Sequence, residues 1–174
     1  WPARRERRRL VGVDGRRGLP LEDFFVDYGQ QDLADNEYVA SVVLPAHPQP
    51  HFRCWKIAKR FDQDISAVLG DVYLKLVTGV VHNDRFCIGG MATTPRRARR
   101  CEAAVEGRRL DEDTLADAQN ALLQDFDPIA DLRASARYRR TVAANLLDKY
   151  FLFLKGTDVP SVYEFSSPQA FTHV

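Results

Sequence analysis

The hydrophobic pattern of this 174-residue chain changes its period once, at Gly89 and Gly90. From residue 52 to this glycine pair, apolar and polar residues largely alternate, which is typical of strands with one buried face. After the pair, apolar residues recur every three or four positions, which is typical of amphipathic helices. Strands followed by helices favour an α+β layer and disfavour the alternating βαβ units of a Rossmann fold.

Three strands are predicted before the glycine pair, at residues 52–59, 65–78 and 80–88. The second strand is long, with Val72, Leu74 and Leu76 on one side and Asp71, Tyr73 and Lys75 on the other. Gly79 supplies the tight turn into the third strand, so that these two strands form a hairpin. In the third strand, Phe86 and Ile88 are expected on the side of Val80.

Three helices are predicted after the glycine pair. The first covers residues 95–106, because Thr94 offers a capping hydroxyl, Pro95 suits the first helical position and Gly107 suits the end. Its inner face is expected to carry Ala98, Cys101 and Val105. The second helix begins near Asp113 and ends before Pro128.

The third predicted helix is the longest and begins after Ser135, whose hydroxyl can cap it. Its apolar stripe consists of Tyr138, Val142, Leu146, Tyr150 and Leu154. The predicted fold class is therefore α+β, with a three-stranded antiparallel sheet packed against three helices.

The N-terminal part of the chain is predicted to be an edge piece, with a helical turn opened by Pro20 and a strand at residues 38–44. Two prolines between residues 46 and 51 indicate a linker. We therefore predict three segments: an edge piece at 1–46, an α+β domain at 47–155 and a tail at 156–174.

Charge is nearly balanced, with 25 basic and 24 acidic residues, so no strong overall field attracts nucleic acid or a membrane. Arginine runs at residues 4–9 and 96–100 could contact phosphate, but without an aromatic platform a solvated face is favoured. Apolar runs fall short of the roughly 20 residues that span a bilayer. The arginine-rich start lacks the apolar stretch of a signal peptide, so the cytoplasm is the expected compartment.

Neither a catalytic residue nor a metal site is predicted. The histidines at 47, 51, 82 and 173 have no metal-ligand spacing, no serine lies in a GxSxG motif, and the glycine pair is not a phosphate loop. The cysteines at 54, 87 and 101 form no CxxC motif and are expected to pack as small buried hydrophobic residues.

Lys56 is the most unusual polar residue of the predicted strands. Its neighbours on the same side, Cys54 and Ala58, are small and apolar. A cation at this position can meet an anionic or electron-rich ligand, or it can lie at a solvated sheet edge and block edge pairing. The residue pattern alone favours the solvated edge.

Three motifs resemble a known family. They are KIAKRFDQDI at residues 56–65, GGMA at 89–92 and DLRASARYR at 131–139. From about residue 19 to 154, the chain is similar to the FAD-binding subunits of molybdenum hydroxylases. The resemblance is strongest to the small subunit of bacterial xanthine dehydrogenase, and the C-terminal part is similar to the CO dehydrogenase flavoprotein C-terminal domain.

The resemblance implies that two residues contact FAD. Lys56 matches a lysine that reaches the flavin ring system, and Val39, within NEYVASVVLP, matches an aliphatic residue that lies against it. The loop after Lys56 is implied to border the flavin on the side where a nicotinamide nucleotide docks. Its candidate residues are Arg60, Asp62, Gln63 and Asp64. Without the resemblance, a polar turn between two strands explains them equally well.

The resemblance also implies a function within a larger complex. Segment 1–46 would be the last strand region of an FAD-binding module. The expected partners are the upstream half of that module, an iron-sulfur domain and a molybdenum-binding large subunit. Iron-sulfur clusters and the molybdenum cofactor would lie outside this chain, which carries neither the pyrophosphate loops nor the iron-sulfur cysteine motifs of the family.

Electrons would pass from molybdenum through iron-sulfur clusters to FAD and then to NAD, in a xanthine dehydrogenase-like oxidoreductase of purine catabolism. The fragment alone is expected to be inactive. Carbon monoxide, an aldehyde or an aromatic acid is the alternative substrate. The alternative function is a subunit-docking module without a direct cofactor role.

Overall fold

The chain begins with a small N-terminal sheet. The computed structural model describes residues 7–44, 46, 50–60 and 64–160. Strands β1 (Arg7–Gly12) and β2 (Gly15–Pro20) form a hairpin, and β5 (Tyr38–Val43) pairs with β1 in antiparallel fashion. Between them lie α1 (Leu21–Phe24), β3 (Phe25–Asp27) and β4 (Gln30–Gln31). The predicted helical turn after Pro20 and the predicted strand at residues 38–44 are confirmed.

The second sheet is antiparallel, in the order β6 (Arg53–Ile57), β7 (Val68–Val77), β8 (Val80–Gly89) and β9 (Arg96–Arg97). Three helices follow it: α2 (Arg99–Val105), α3 (Glu112–Asp125) and α4 (Ala136–Leu154). The predicted α+β class, with an antiparallel sheet and three helices, is confirmed. The two-residue strand β9 is an addition that the sequence did not reveal.

One face of the second sheet and the three helices enclose the hydrophobic core. Its fully buried side chains include Val72, Leu74, Phe86, Cys101, Leu122 and Tyr150. Trp55 and Ile57 of β6 pack against this core from the sheet edge. Complete burial of a large apolar side chain contributes roughly 1.5–3 kcal/mol, so this layer carries most of the apolar stabilisation.

Helix α2 begins at Arg99, four residues later than predicted. Residues Arg96–Arg97 extend instead as β9 and pair with Cys87 and Ile88. The prediction from Thr94 and Pro95 was therefore wrong, because pairing with the sheet edge outweighs the local capping signal. The inner face of Ala98, Cys101 and Val105 is fully buried as predicted, and Gly107 has the positive φ of +75° expected at the helix end.

A bulge in β8 reverses the predicted side of Val80. Tyr73 pairs with Arg85 while Lys75 pairs with His82, so β8 contributes one residue more than β7 between these pairs. Asn83 has a φ of +53° at this point. Val81, not Val80, is therefore fully buried on the side of Phe86, because an extra residue shifts the alternation by one.

The N-terminal half of the predicted α4 stripe is displaced by one residue. Ser135 accepts the backbone N–H of Tyr138, so the predicted cap is confirmed. Leu146 and Tyr150 are buried as predicted, but the side chain of Tyr138 is 48% exposed and Arg139 is only 3% exposed. The start of the helix therefore turns a cation inward instead of an aromatic ring.

The proposed segment boundaries at 46/47 and 155/156 remain predictions. Most of the predicted tail falls in 161–174, outside the described residues. Within the ranges that the structure describes, none of the helices has the length and apolar character needed to cross a bilayer.

Candidate functional site

Lys56 lies on the face of the second sheet that points away from α2, α3 and α4. Its neighbours Trp55 and Ile57 pack toward the core, so Cys54 and Lys56 project from the opposite face, where both are exposed. Residues paired across an antiparallel ladder share a face. Lys56 is therefore in a row with Leu69 of β7 and, beyond it, Gly89 of β8.

The next row on the same face is polar. It runs from Cys54 through Asp71 and Cys87 to Arg97. Although Cys54 is exposed, its thiol is partly desolvated by neighbouring atoms, and this desolvation and then the Asp71 carboxylate raise its pKa to about 11. Burial and then Asp71 also raise the pKa of Cys87. Both thiols are protonated at neutral pH and are poor nucleophiles. Cys87 and Cys101 are buried as predicted, but the prediction for Cys54 was wrong because the edge strand leaves it exposed.

The segment after Lys56 is held against the turn that precedes α4. Lys59 Nζ donates to the carbonyl of Leu132 at 2.9 Å. Arg60 and Asp64 form an exposed ion pair of 3.3 Å, and the hydrogen bond from the Arg60 side chain lowers the pKa of Asp64. The structure thus brings Arg60 and Asp64 together, whereas the predicted loop residues Asp62 and Gln63 lie outside the described residues.

Val39 belongs to the other sheet. It pairs with Leu10 of β1 and is 37% exposed. Arg17 of β2 lies on the same face and binds Glu37 and Asp32. The candidate site residues therefore fall into two groups, Val39 on β5 and the others on β6 and the loop that follows it.

A cavity in the described part of the chain lies beside the N-terminal sheet. Its volume is about 640 Å³. Its lining is basic and apolar and includes Arg7, Arg9, Arg16, Tyr38 and Val43. Two smaller cavities, of about 260 and 410 Å³, both include Lys59, Ala67, Leu132 and Arg133 in their walls.

Arg139 is a residue whose position the sequence patterns did not reveal. Its guanidinium donates to the carbonyls of Ala67 and Gly90 and to Asp131. Backbone N–H groups of Ala134 and Arg133, together with Arg139, lower the pKa of Asp131 to about 2. The signal was present in the motif DLRASARYR, where Arg139 is the last residue, but its spacing did not say what the arginine binds.

In the described ranges, histidine, cysteine and acidic side chains form no group of three or more that could hold a metal ion. Lys56 presents a cation on the second sheet, and Val39 presents an aliphatic surface on the N-terminal sheet.

Comparison with known proteins relates the chain to one family. The family described as CO dehydrogenase flavoprotein C-terminal domain matches residues 53–154. Xanthine dehydrogenase 1 of Arabidopsis thaliana is 29% identical in an alignment 161 residues long that covers 88% of this chain and 12% of that protein. The xanthine dehydrogenase FAD-binding subunit of Escherichia coli O157:H7 is 28% identical over 127 residues, which are 72% of this chain and 44% of that protein.

A solved structure gives the same relationship. The carbon monoxide dehydrogenase of Hydrogenophaga pseudoflava superposes with a TM-score of 0.79 at 25% identity, covering 85% of this chain and 52% of that one. The chain thus spans between about an eighth and about half of the lengths of these proteins. Since the family match covers more than half of the sequence, the chain belongs to the CO dehydrogenase flavoprotein C-terminal domain family.

Proposed function

We propose that this chain forms one wall of the FAD site in the flavin subunit of a molybdenum hydroxylase. The observation that carries the proposal is the position of Lys56, an exposed cation within the matched domain, on the sheet face opposite α2, α3 and α4. An FAD-binding subunit among the relatives supports the cofactor assignment.

The residues present fit a flavin ring better than a complete dinucleotide. Lys56 offers a donor to the electron-rich edge of a ring, and the exposed side chain of Val39 offers apolar contact. Gly89, in the same row as Lys56, adds no side chain to this face. When bound, FAD would supply two-electron transfer. This chain would orient the ring and exclude water from one side.

The loop residues Arg60, Asp62, Gln63 and Asp64 are proposed to border the flavin on the side where NAD docks. The exposed ion pair of Arg60 and Asp64 places both charge signs next to the strand that carries Lys56. Such charges set the local potential that an anionic dinucleotide meets. The loop of this chain would form the side of the flavin site at which NAD docks, and NAD would be the electron acceptor.

The remaining partners and the substrate are also proposals. An upstream FAD-binding half, an iron-sulfur domain and a molybdenum-binding large subunit would complete a cytoplasmic enzyme. Xanthine is the proposed substrate, since xanthine dehydrogenases from a plant and a bacterium are among the relatives. Carbon monoxide or an aldehyde is the alternative, because the medium chains of a carbon monoxide dehydrogenase and a glyceraldehyde dehydrogenase are also similar.

The test is the flavin absorbance of the complete subunit with Lys56→Ala beside Lys75→Ala. Lys75 is a second exposed lysine of the same sheet and serves as the matched control. We expect stoichiometric flavin in the unmodified subunit, a loss or spectral shift with Lys56→Ala, and no change with Lys75→Ala. An unchanged spectrum with Lys56→Ala would remove Lys56 from the site.

A second candidate function is a docking module without a direct cofactor role. The cavity beside the N-terminal sheet favours the docking function, because it is lined by the exposed side chains of Arg7, Arg9 and Tyr38. A stable complex with the molybdenum-binding subunit, in which flavin content does not depend on Lys56, would support docking over the cofactor wall.

A further inference from the structure

We propose that Arg139 is a positioning residue that fixes the two loop ends flanking the candidate flavin contacts, residues 58–60 and 64–67. This inference rests on the proposed function, because it assigns a role toward the same flavin. It adds a residue that lies on α4 and that neither the fold nor the family description assigns to the site.

Arg139 is the most deeply buried cation of the candidate site. It lies in the first turn of α4 and is 3% exposed. Arginine is almost never buried to this extent unless it is paired. Its Nη1 donates to the Gly90 carbonyl at 2.7 Å and to the Ala67 carbonyl, and its Nη2 donates to Asp131 at 2.6 Å.

These bonds fix one end of the loop. The Ala67 carbonyl is held by Arg139, while the Ala67 N–H donates to the Ile57 carbonyl at 2.8 Å. Both backbone groups of Ala67 are therefore occupied, one by α4 and one by β6. Ile57 is adjacent to Lys56, so the contact also fixes the point where β6 ends.

The other loop end is held by the same turn that binds Arg139. Asp131 accepts the backbone N–H groups of Arg133 and Ala134 at 2.9 and 3.0 Å, which closes the turn around the carboxylate. The carbonyl of Leu132, within this turn, accepts Lys59 Nζ. Arg139 thus connects to residue 67 directly and to residue 59 through Asp131.

A guanidinium suits this position and an ammonium does not. Three acceptors, two carbonyls and one carboxylate, lie around one buried group. Arginine presents several donors in a planar, fixed geometry, whereas lysine concentrates its charge at one atom. Arg139→Lys therefore keeps the charge but removes part of the network, which separates positioning from simple charge balance.

Arg140 is the matched control. It follows Arg139 on α4, donates to the Leu123 carbonyl and pairs with Asp127, so it also joins a carbonyl and a carboxylate. Its partners lie at the end of α3 and in the connection to α4, away from the loop ends. A change specific to Arg139→Lys and absent from Arg140→Lys therefore reports the loop, not the stability of α4.

The first measurement is native-state hydrogen exchange of the Ala67 amide in this chain. We expect Arg139→Lys to accelerate exchange at Ala67 at least tenfold and to leave amides of α3 unchanged, while Arg140→Lys leaves Ala67 unchanged. Asp131→Asn, which keeps the side-chain shape, serves as the second variant if Arg139→Lys does not fold. Unchanged exchange at Ala67 in the folded variant would overturn the proposal.

The second measurement is the midpoint potential and absorbance spectrum of flavin in the complete subunit. We expect both to shift with Arg139→Lys and to stay constant with Arg140→Lys. Faster exchange at Ala67 with an unchanged flavin would overturn the positioning role and leave the proposed function intact. If the unmodified complete subunit contained no flavin, the proposed function would be overturned. The role of Arg139 toward flavin would then be overturned too, even if Arg139→Lys accelerated hydrogen exchange at Ala67.

Discussion

Glu22 of α1 and Arg97 of β9 form an ion pair of 3.2 Å that joins the N-terminal sheet region to the second sheet. The same carboxylate lies 3.3 Å from Arg85 and 3.2 Å from Arg99. Burial raises the pKa of Glu22, but the three arginines together bring it below its ordinary value. One carboxylate therefore holds three cations and connects two parts of the chain.

Glu22→Gln is expected to destabilise the chain by about 1.5–3 kcal/mol, the range for hydrogen bonds to charged groups. Since the folded-state pKa is lowered, the contribution is present above the ordinary pKa of a glutamate and is lost as the pH falls. Urea unfolding at pH 7 and at pH 3 measures it. Glu112→Gln, at an exposed pair with Lys155, is the control and should cost about 0–1 kcal/mol. Equal costs for the two variants would show that the Glu22 cluster adds no more than a surface pair.

A second acidic group responds to pH in the opposite direction. Asp84 of β8 is 7% exposed and shares a hydrogen bond with Glu106, with Glu102 nearby. Burial, and then these two carboxylates, raise the pKa of Asp84 to about 8. Glu106 also accepts the Asn83 N–H at 2.8 Å and lies 3.3 Å from His82 Nδ1. At neutral pH, the proton shared with Glu106 therefore resides mainly on Asp84.

Asp84→Asn is expected to remove a pH dependence of stability. From the ordinary pKa of 3.8 up to about 8, the folded state holds more protons than the unfolded state at this residue, so stability falls as the pH rises through that range. Asparagine keeps a donor for Glu106 and carries no charge. The variant should match the unmodified chain at low pH and exceed its urea midpoint above pH 8. The control is Asp117→Asn, at an exposed pair with Arg108, which should leave the change of the urea midpoint with pH unchanged. If the urea midpoint of Asp84→Asn changed with pH as it does in the unmodified chain, the raised pKa of Asp84 would be contradicted.

Local signals in the sequence predicted the elements well where one residue decides the outcome. Ser135 begins α4, Gly107 ends α2 and Gly79 makes the β7–β8 turn, each with the backbone conformation that the residue type favours. Thr78 was predicted as the last strand residue but has a φ of +51°, which a β-branched residue rarely adopts. The bulge at Asn83 could not be seen, because two polar residues in a row fit an edge strand as well as they fit a bulge.

The candidate site was less predictable because its residues depend on tertiary contacts. The residue pattern singled out Lys56 between the small apolar residues Cys54 and Ala58 but favoured a solvated sheet edge, and only the family resemblance gave it a role toward a ligand. Arg139 counts as a surface residue in any hydrophobic pattern, yet backbone carbonyls from two distant segments bring it inside. These backbone carbonyls come close to Arg139 only in the folded chain, so the spacing of side chains in the sequence cannot predict the contact.

Tyr150→Phe is expected to cost roughly 1 kcal/mol, the usual worth of one neutral hydrogen bond. The hydroxyl of Tyr150 donates to the His51 carbonyl at 2.6 Å and so ties α4 to the residues before β6. Phenylalanine keeps the ring contacts with Trp55 and Phe86. The free energy of unfolding in urea measures the loss. The control is Tyr138→Phe, at the exposed end of the same helix, which should cost less than about 0.5 kcal/mol. If the two variants cost the same, the hydroxyl of Tyr150 would contribute no more to the free energy of unfolding than an exposed hydroxyl does.

Gly90→Ala is expected to be far more costly than Gly107→Ala, although both glycines have positive φ values, +82° and +75°. A Cβ at Gly107 would meet open space, so only the left-handed backbone is penalised, by about 1–2 kcal/mol. A Cβ at Gly90 would overlap the Ala67 carbonyl and lie 3.0 Å from Arg139 Nη1.

The extra cost at Gly90 is expected to be about 1–3 kcal/mol, as for overpacking in a core. Since the overlapped carbonyl is also the acceptor of Arg139, Gly90→Ala should accelerate hydrogen exchange at Ala67 as well as lower the urea midpoint. Gly107→Ala should lower the midpoint only. If the two variants lost equal stability, the approach of Gly90 to Ala67 would be looser than the structure shows, and the glycine in the GGMA motif would be required for its backbone conformation alone.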